Sequence, residues 1–137
     1  MSGIVVDASV TLSWCFPDEL TAMSMLVLDR LQAGDHAIVP AFWSVEVLNT
    51  LLVGERRGRI TAEQTATFLD NLQSLNPALD YASIEQIAGA VQIICRTCKL
   101  TPYDALYVEL AQRTGFPLAT LDGAQRKAAE ALGIQCL

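Results

Sequence analysis

The sequence predicts an α/β fold, a three-layer α/β/α sandwich around a short parallel sheet of four to five strands. Two observations predict it. Short apolar runs such as Ile4-Val5-Val6 are rich in β-branched residues and do not alternate with polar ones, as strands buried on both faces should read. Between them lie longer stretches with helical spacing, bounded by capping residues and glycines. A chain of 137 residues suits one domain, 1–137, and can bury a proper core.

The elements follow in order. Ile4–Asp7 reads as the first buried strand, and Ala8–Trp14 as one or two helical turns. Thr21–Gln32 is helical, with apolar Ala22, Met25, Leu26, Leu28 and Leu31, and Gly34 closes it. His36–Val39 is a second strand stopped by Pro40, and Phe42–Arg57 a helix ending at Gly58. Thr61 with Gln64 forms a capping-box pattern that opens a helix to about Leu75, before Asn76-Pro77 breaks it. Leu79–Tyr81 is a candidate third strand. Ser83 with Gln86 repeats the capping pattern and opens a helix to about Lys99. Thr101-Pro102 restarts the helix with Pro at its first position, and Gly115 ends it. Phe116–Ala119 is the fourth strand, Asp122–Leu132 the last helix, and Ile134–Cys136 a candidate fifth strand.

Composition narrows the class. Hydrophobic residues make up 52% and charged residues 18%, which excludes disorder and suggests an apolar surface for a partner. No basic stretch leads into a long apolar core at the N-terminus, so no signal peptide is expected. No apolar run approaches the roughly 20 residues of a membrane span, so no membrane role is expected either. Cys15, Cys95, Cys98 and Cys136 lie in a core-rich chain, which points to reduced thiols and a cytoplasmic protein. Nine Lys and Arg against fifteen Asp and Glu give a net charge of −6, so nucleic acid would not be held by bulk electrostatics.

The chemistry-bearing pattern is acidic. In an open parallel sheet, ligands bind beyond the carboxyl ends of the strands. Asp7 ends the first strand, and Asp122 follows the fourth by a few residues. Glu46 lies one turn into the helix after the second strand, and Asp104 in the first turn of a later helix. Taken singly, Asp7 and Asp122 are equally helix N-caps, the latter with Gln125 completing a capping box, and Asp104 complements a helix dipole. Glu46, with Asn49 three residues on, makes a polar stripe on an otherwise apolar helix, either a narrow solvated face or one wall of a polar site. Several carboxylates brought together repel, and a hard divalent cation removes that repulsion. Mg2+ or Mn2+ needs only one or two direct carboxylates, because it keeps several waters.

Four segments then resemble, in order and spacing over essentially the whole chain, the PIN-domain nucleases, and most the VapC-type toxins among them. They are "IVVDASV", "SVEVLN", "LTPYDALYVELA" and "LATLDGA". The resemblance implies a PIN-like fold in which Asp7, Glu46, Asp104 and Asp122 form the metal site, supported through hydrogen bonds by Ser9, Asn49 and Thr120. It implies Mg2+- or Mn2+-dependent cleavage of single-stranded RNA, leaving a 5′-phosphate and a 3′-hydroxyl. It also implies a homodimer and a small antitoxin that lays an amphipathic segment into an apolar groove. The scarcity of basic residues to hold RNA departs from an ordinary nucleic-acid binder.

Other features read as structure. Cys95 and Cys98 lie on one helical stripe with Ile84, Ile87, Ala88, Val91 and Ile94, so they read as core residues; a zinc site would need two more ligands. His36 precedes a strand and reads as an edge residue. The arginines of "GERRGR" complement a helix end, and Trp14, Phe16, Phe42 and Trp43 read as core or subunit contacts rather than base-stacking platforms. Two alternatives stand beside the nuclease. One is a phosphohydrolase resembling the haloacid-dehalogenase group with Asp7 as nucleophile, although Ser9 occupies the place of that group's second Asp. The other is a PIN-like interaction protein without catalysis. A receiver domain is set aside, because "VVDAS" offers one acid where paired acids are needed.

Overall fold

The computed structural model describes residues 2–137. Four parallel strands form its sheet: β1 (Gly3–Val6), β2 (His36–Pro40), β3 (Ala78–Asp80) and β4 (Leu118–Ala119), in the order β3-β2-β1-β4. Residues Gly3 to Val5 of β1 pair with His36 to Ile38, and Val5 and Val6 pair with Leu118 and Ala119 on the other side. The β1 strand is buried throughout, which explains why its sequence is uniformly apolar rather than alternating. The chain runs outward from β1 to β2 and β3, then returns to place β4 on the opposite side of β1. The order therefore reverses between β1 and β4, and the crevice beyond their carboxyl ends is where a ligand site is expected.

Helices cover the sheet. The short α1 (Ala8–Ser13) follows β1 directly, and a 3-10 turn at Pro17–Glu19 leads to α2 (Ala22–Gln32). Then come α3 (Trp43–Arg56), α4 (Ala62–Ser74), α5 (Ile84–Gln86), α6 (Gln92–Cys98), α7 (Pro102–Thr114) and α8 (Gly123–Ala131). The α7 helix lies against β1, β2 and β4 with α6 and α8 beside it, whereas α1 packs on α2 and α3, and α3 on α4. The expected capping boxes at Thr61/Gln64 and Ser83/Gln86 both form, because each side chain reaches the other residue's backbone N–H. Thr101 caps α7 with Pro102 behind it, and Gly115 closes it at φ 75°, a left-handed turn that only glycine adopts without penalty.

Several expectations need correction. The third strand lies at Ala78–Asp80, one residue before Leu79–Tyr81, because its register is set by pairing with Ile38 to Pro40. The fifth strand shrinks to a single bridge between Cys136 and Leu118, since β4 is only two residues long and gives it no ladder to extend. The helix from Ser83 is interrupted by a π-helical turn, Ile87–Val91, that joins α5 to α6. That wider turn rotates the stripe, so Ile84 is 78% exposed while Val91 and Ile94 are buried. Cys95 and Cys98 pack against the core as free thiols. His36 opens β2 opposite Gly3, at the far end of the strands from Asp7, and is no edge residue because β2 is an inner strand.

Candidate metal centre

All four acids stand beyond the carboxyl ends of the strands, each fixed by the start of a helix. Asp7 directly follows the buried β1 and caps α1, as the capping reading expects. Its Oδ2 accepts from the Ser9 backbone N–H at 3.2 Å, from the Ser9 hydroxyl, and from the Thr120 hydroxyl at 3.1 Å. Its Oδ1 accepts from Gln125 Nε2 at 3.3 Å. The same nitrogen donates to Asp104 Oδ1 at 3.0 Å, so carboxylates from β1 and from α7 meet on one amide.

Glu46, in the first turn of α3, accepts from the Tyr107 hydroxyl at 2.8 Å. Asp122 caps α8: its Oδ1 accepts from the Gln125 backbone N–H at 2.9 Å. Its own N–H donates to Thr120 Oγ1, and the Leu121 N–H to Ser9 Oγ. Ser9 and Thr120 thus tie the loop after β4 to Asp7. Asn49 does not join them: it is exposed, and the hydrogen bonds around the acids run through Ser9, Thr120, Tyr107 and Gln125.

Two functional candidates escaped sequence reading. Tyr107 sits three residues after Asp104 on the same helix face, a spacing that was available as a signal. The spacing makes Gln125 the expected partner of Asp122 in a capping box. In the structure only half of that box forms: Asp122 receives the Gln125 N–H, but the Gln125 side chain turns away to Asp7 and Asp104. The reason is tertiary: the Asp122 N–H that a full box would give to Gln125 Oε1 goes to Thr120 Oγ1 instead, and the amide N–H2 turns to donate to two carboxylates.

The electrostatics are those of crowded, half-dry acids. Burial raises the pKa of Asp7, which is 5% exposed, and its hydrogen bonds from Ser9, Gln125 and Thr120 offset only part of that rise. Burial also raises the pKa of Glu46, the Tyr107 hydroxyl pulls it back, and the charges of Asp7 and Asp104 push it up again. Tyr107 is driven far upward by its burial and by the same two acids, Glu46 and Asp7, and so remains a neutral donor.

Among the described residues no three Asp, Glu, His or Cys side chains stand as a ready cage around one point. Mg2+ does not require one: it dehydrates reluctantly and is held by one or two carboxylates with waters completing the shell. The donor set here is all hard oxygen, two of the carboxylates already converge, and the buried Gln125 Oε1 beside them has no hydrogen-bond partner. The paired oxygens of Asp7 and Asp104 are of the type a small hard cation takes, and Glu46 stands near enough for both charges to act on it.

Basic groups are mostly engaged elsewhere. Arg59 pairs with Asp18 and Glu19 and stacks on Phe16, Arg113 bridges Glu109 and Asp80, and Arg30 pairs with Asp35. Arg126 donates to the carbonyls of Thr120 and Leu137. Trp14 donates to the Ser24 carbonyl and the buried Trp43 to Thr11, so neither indole N–H is free for a base.

The fold is shared with known proteins. A family model for the PIN domain matches residues 4–131. The chain is 29% identical over 119 residues to Ribonuclease VapC3 of Pyrobaculum aerophilum, covering 87% of this chain and 88% of that protein. Among solved structures, PAE2754 from Pyrobaculum aerophilum superposes with a TM-score of 0.68 at 19% identity, covering 96% of this chain and 92% of that one. FitAcB from Neisseria gonorrhoeae does so with a TM-score of 0.65 at 15% identity, covering 98% and 96%. These two likenesses establish the fold.

Proposed function

The chain belongs to the PIN domain family, and from that membership we propose that it is a Mg2+- or Mn2+-dependent endoribonuclease cutting single-stranded RNA, the toxin of a toxin–antitoxin pair. The relative named as a ribonuclease supports the reaction class. The observation that carries the reading is the meeting of Asp7 and Asp104 on one buried amide beyond the carboxyl ends of β1 and β4. The haloacid-dehalogenase reading has no comparable support, because Asp7 has three donors on one oxygen and Ser9 where a second acid is needed.

In this reading Asp7 and Asp104 hold the cation, and Glu46 and Asp122 hold its waters. When bound, the cation supplies positive charge to the phosphate and acidity to water. The protein supplies the positions. Ser9 and Thr120 lock Asp7 through Oδ2 and leave Oδ1 on the Asp104 side. Tyr107 holds Glu46, and the burial that raises its pKa makes it a stronger base toward the attacking water than a free carboxylate. Water attacks the phosphorus in line, the bond to the 3′ oxygen breaks, and the products carry a 5′-phosphate and a 3′-hydroxyl.

The chain acts as one domain over 1–137, in the cytoplasm. Among the described residues no helix is long and apolar enough to cross a membrane. Exposed Val45, Leu48 and Leu52 on α3 and Met25 and Leu26 on α2 supply apolar surface for a second copy of the chain and for a small antitoxin.

The test is cleavage of a single-stranded RNA by the purified protein with Mg2+ or Mn2+, with chelator, and with Asp104→Asn. We expect cleavage only with metal, and a loss of about 100-fold or more in the variant with its fold retained. Cleavage in chelator would overturn the metal dependence, and an active Asp104→Asn protein would remove Asp104 from the site. A wild-type protein that binds no Mn2+ at millimolar concentration would favour an interaction protein without catalysis.

A further inference from the structure

The inward residues of α8 are Gln125, Ala128 and Ala129. Gln125 differs from the other two in size and chemistry. It is fully buried, yet its Oε1 has no hydrogen-bond partner. A buried carbonyl left unpaired is costly, and Leu or Met would fill similar space without that cost. A residue present only for packing would therefore be apolar here.

What holds the carboxamide in place is its other end. Nε2 donates to Asp7 Oδ1 and to Asp104 Oδ1, so α8 ties an acid on β1 to an acid on α7. The pattern of donors matters. Asp7 Oδ2 is crowded by Ser9 and Thr120, while Oδ1 receives only the longer bond from Gln125. Asp104 receives the shorter amide bond on Oδ1. A carboxylate oxygen offers about two lone-pair directions, so one amide proton on each Oδ1 leaves both carboxylates able to take a cation. The amide steers the pair without consuming it.

We propose that Gln125 is a positioning residue for the divalent cation: its single amide holds Asp7 and Asp104 as a preformed pair and so sets the affinity of the site for Mg2+ or Mn2+. The inference rests on the metal-dependent reading of this site. Partners that orient metal-binding carboxylates in this way typically change metal affinity by about 10- to 100-fold when removed.

The experiment compares Mn2+ binding, read from the electron paramagnetic resonance of free Mn2+, in the wild type and Gln125→Met. Melting of the metal-free proteins is followed in parallel. Met keeps the length of the side chain and removes both the donor and the orphaned carbonyl. We expect Gln125→Met to bind Mn2+ about 10- to 100-fold more weakly while the metal-free protein stays folded. A role in packing alone would move melting and leave affinity untouched. Gln125→Leu provides the same comparison where Met disturbs the core. Equal affinity in wild type and variant would overturn this inference alone. Tighter binding by the variant would overturn it too, since the amide would then be competing with the cation. A wild type that binds no Mn2+ would overturn the metal reading itself and this inference with it.

Discussion

Removing the Tyr107 hydroxyl isolates one hydrogen bond in the acidic centre. It donates to Glu46, which is half-buried and keeps access to water, so Tyr107→Phe should cost about 1 kcal/mol of stability. The same change should raise the pKa of Glu46 further, because that hydrogen bond is what pulls it down. Carbon-13 chemical shifts of the Glu46 carboxyl against pH would read both effects, and an unmoved titration would contradict the contact. Asp7 and Glu46 also set how stability responds to pH. Both have pKa values raised, first by burial. The folded chain therefore binds their protons more tightly than the unfolded chain, in which they titrate at about 3.9 and 4.3. The metal-free protein should be most stable with respect to these groups below that range, and lose stability as pH rises through their folded values. Asp35, held low by Arg30, acts oppositely, its contribution being lost as pH falls through its folded value. Mg2+ should raise the melting temperature more at pH 7 than at pH 4, because protons compete with the cation for the Asp7 carboxylate, whose pKa burial raises. Thermal melts at both pH values with and without Mg2+ check this, and stabilisation at pH 4 equal to that at pH 7 would contradict it.

At the level of elements, β1 places Asp7, so a change in its packing should act on stability and leave the centre's chemistry alone. A Cβ at Gly3 would lie 2.5 Å from the nearest atom of the Phe116 ring, with two more ring atoms under 3 Å. The ring must move as a whole, and Gly3→Ala should cost about 1–3 kcal/mol in a denaturant titration while activity per folded molecule is kept. Much of this level was legible in the chain itself. Thr61, Ser83 and Thr101 cap helices where their spacing to Gln64, Gln86 and Asp104 places them, because capping is a local interaction. The uniformly apolar β1 and its terminal Asp7 were legible for the same reason. What failed depended on distant partners: the register of β3 on β2, the reduced pairing of Cys136, and the choice of the Gln125 side chain between its own helix end and two acids. The π turn at Ile87–Val91 left no signal in the periodicity, since Ile84 fits the stripe in sequence and stands exposed in the fold. Asn49 shows the reverse failure, a residue suited by type and spacing that the helix turns to solvent.

The whole molecule is acidic, with a net charge of −6, and spends most of its basic side chains internally. Among the described residues, Arg56, Arg57, Lys99 and Lys127 have no hydrogen-bonded or ion-paired side-chain partner, whereas Arg96 is held by the Gln92 side-chain oxygen. Few RNA phosphates can therefore be neutralised by side chains. The slope of log affinity for single-stranded RNA against log salt should be no steeper than about −3, since each phosphate contact contributes roughly −0.7. A much steeper slope would point to a basic surface this fold does not present. The central claim, a metal-site ribonuclease acting on cellular RNA, is tested most directly by mapping RNA 5′ ends after brief induced expression of the wild type and of Asp7→Asn. New 5′ ends found only with the wild type are the result predicted, and they would name the substrate at the same time. Identical maps, with both proteins folded and free of antitoxin, would contradict the claim.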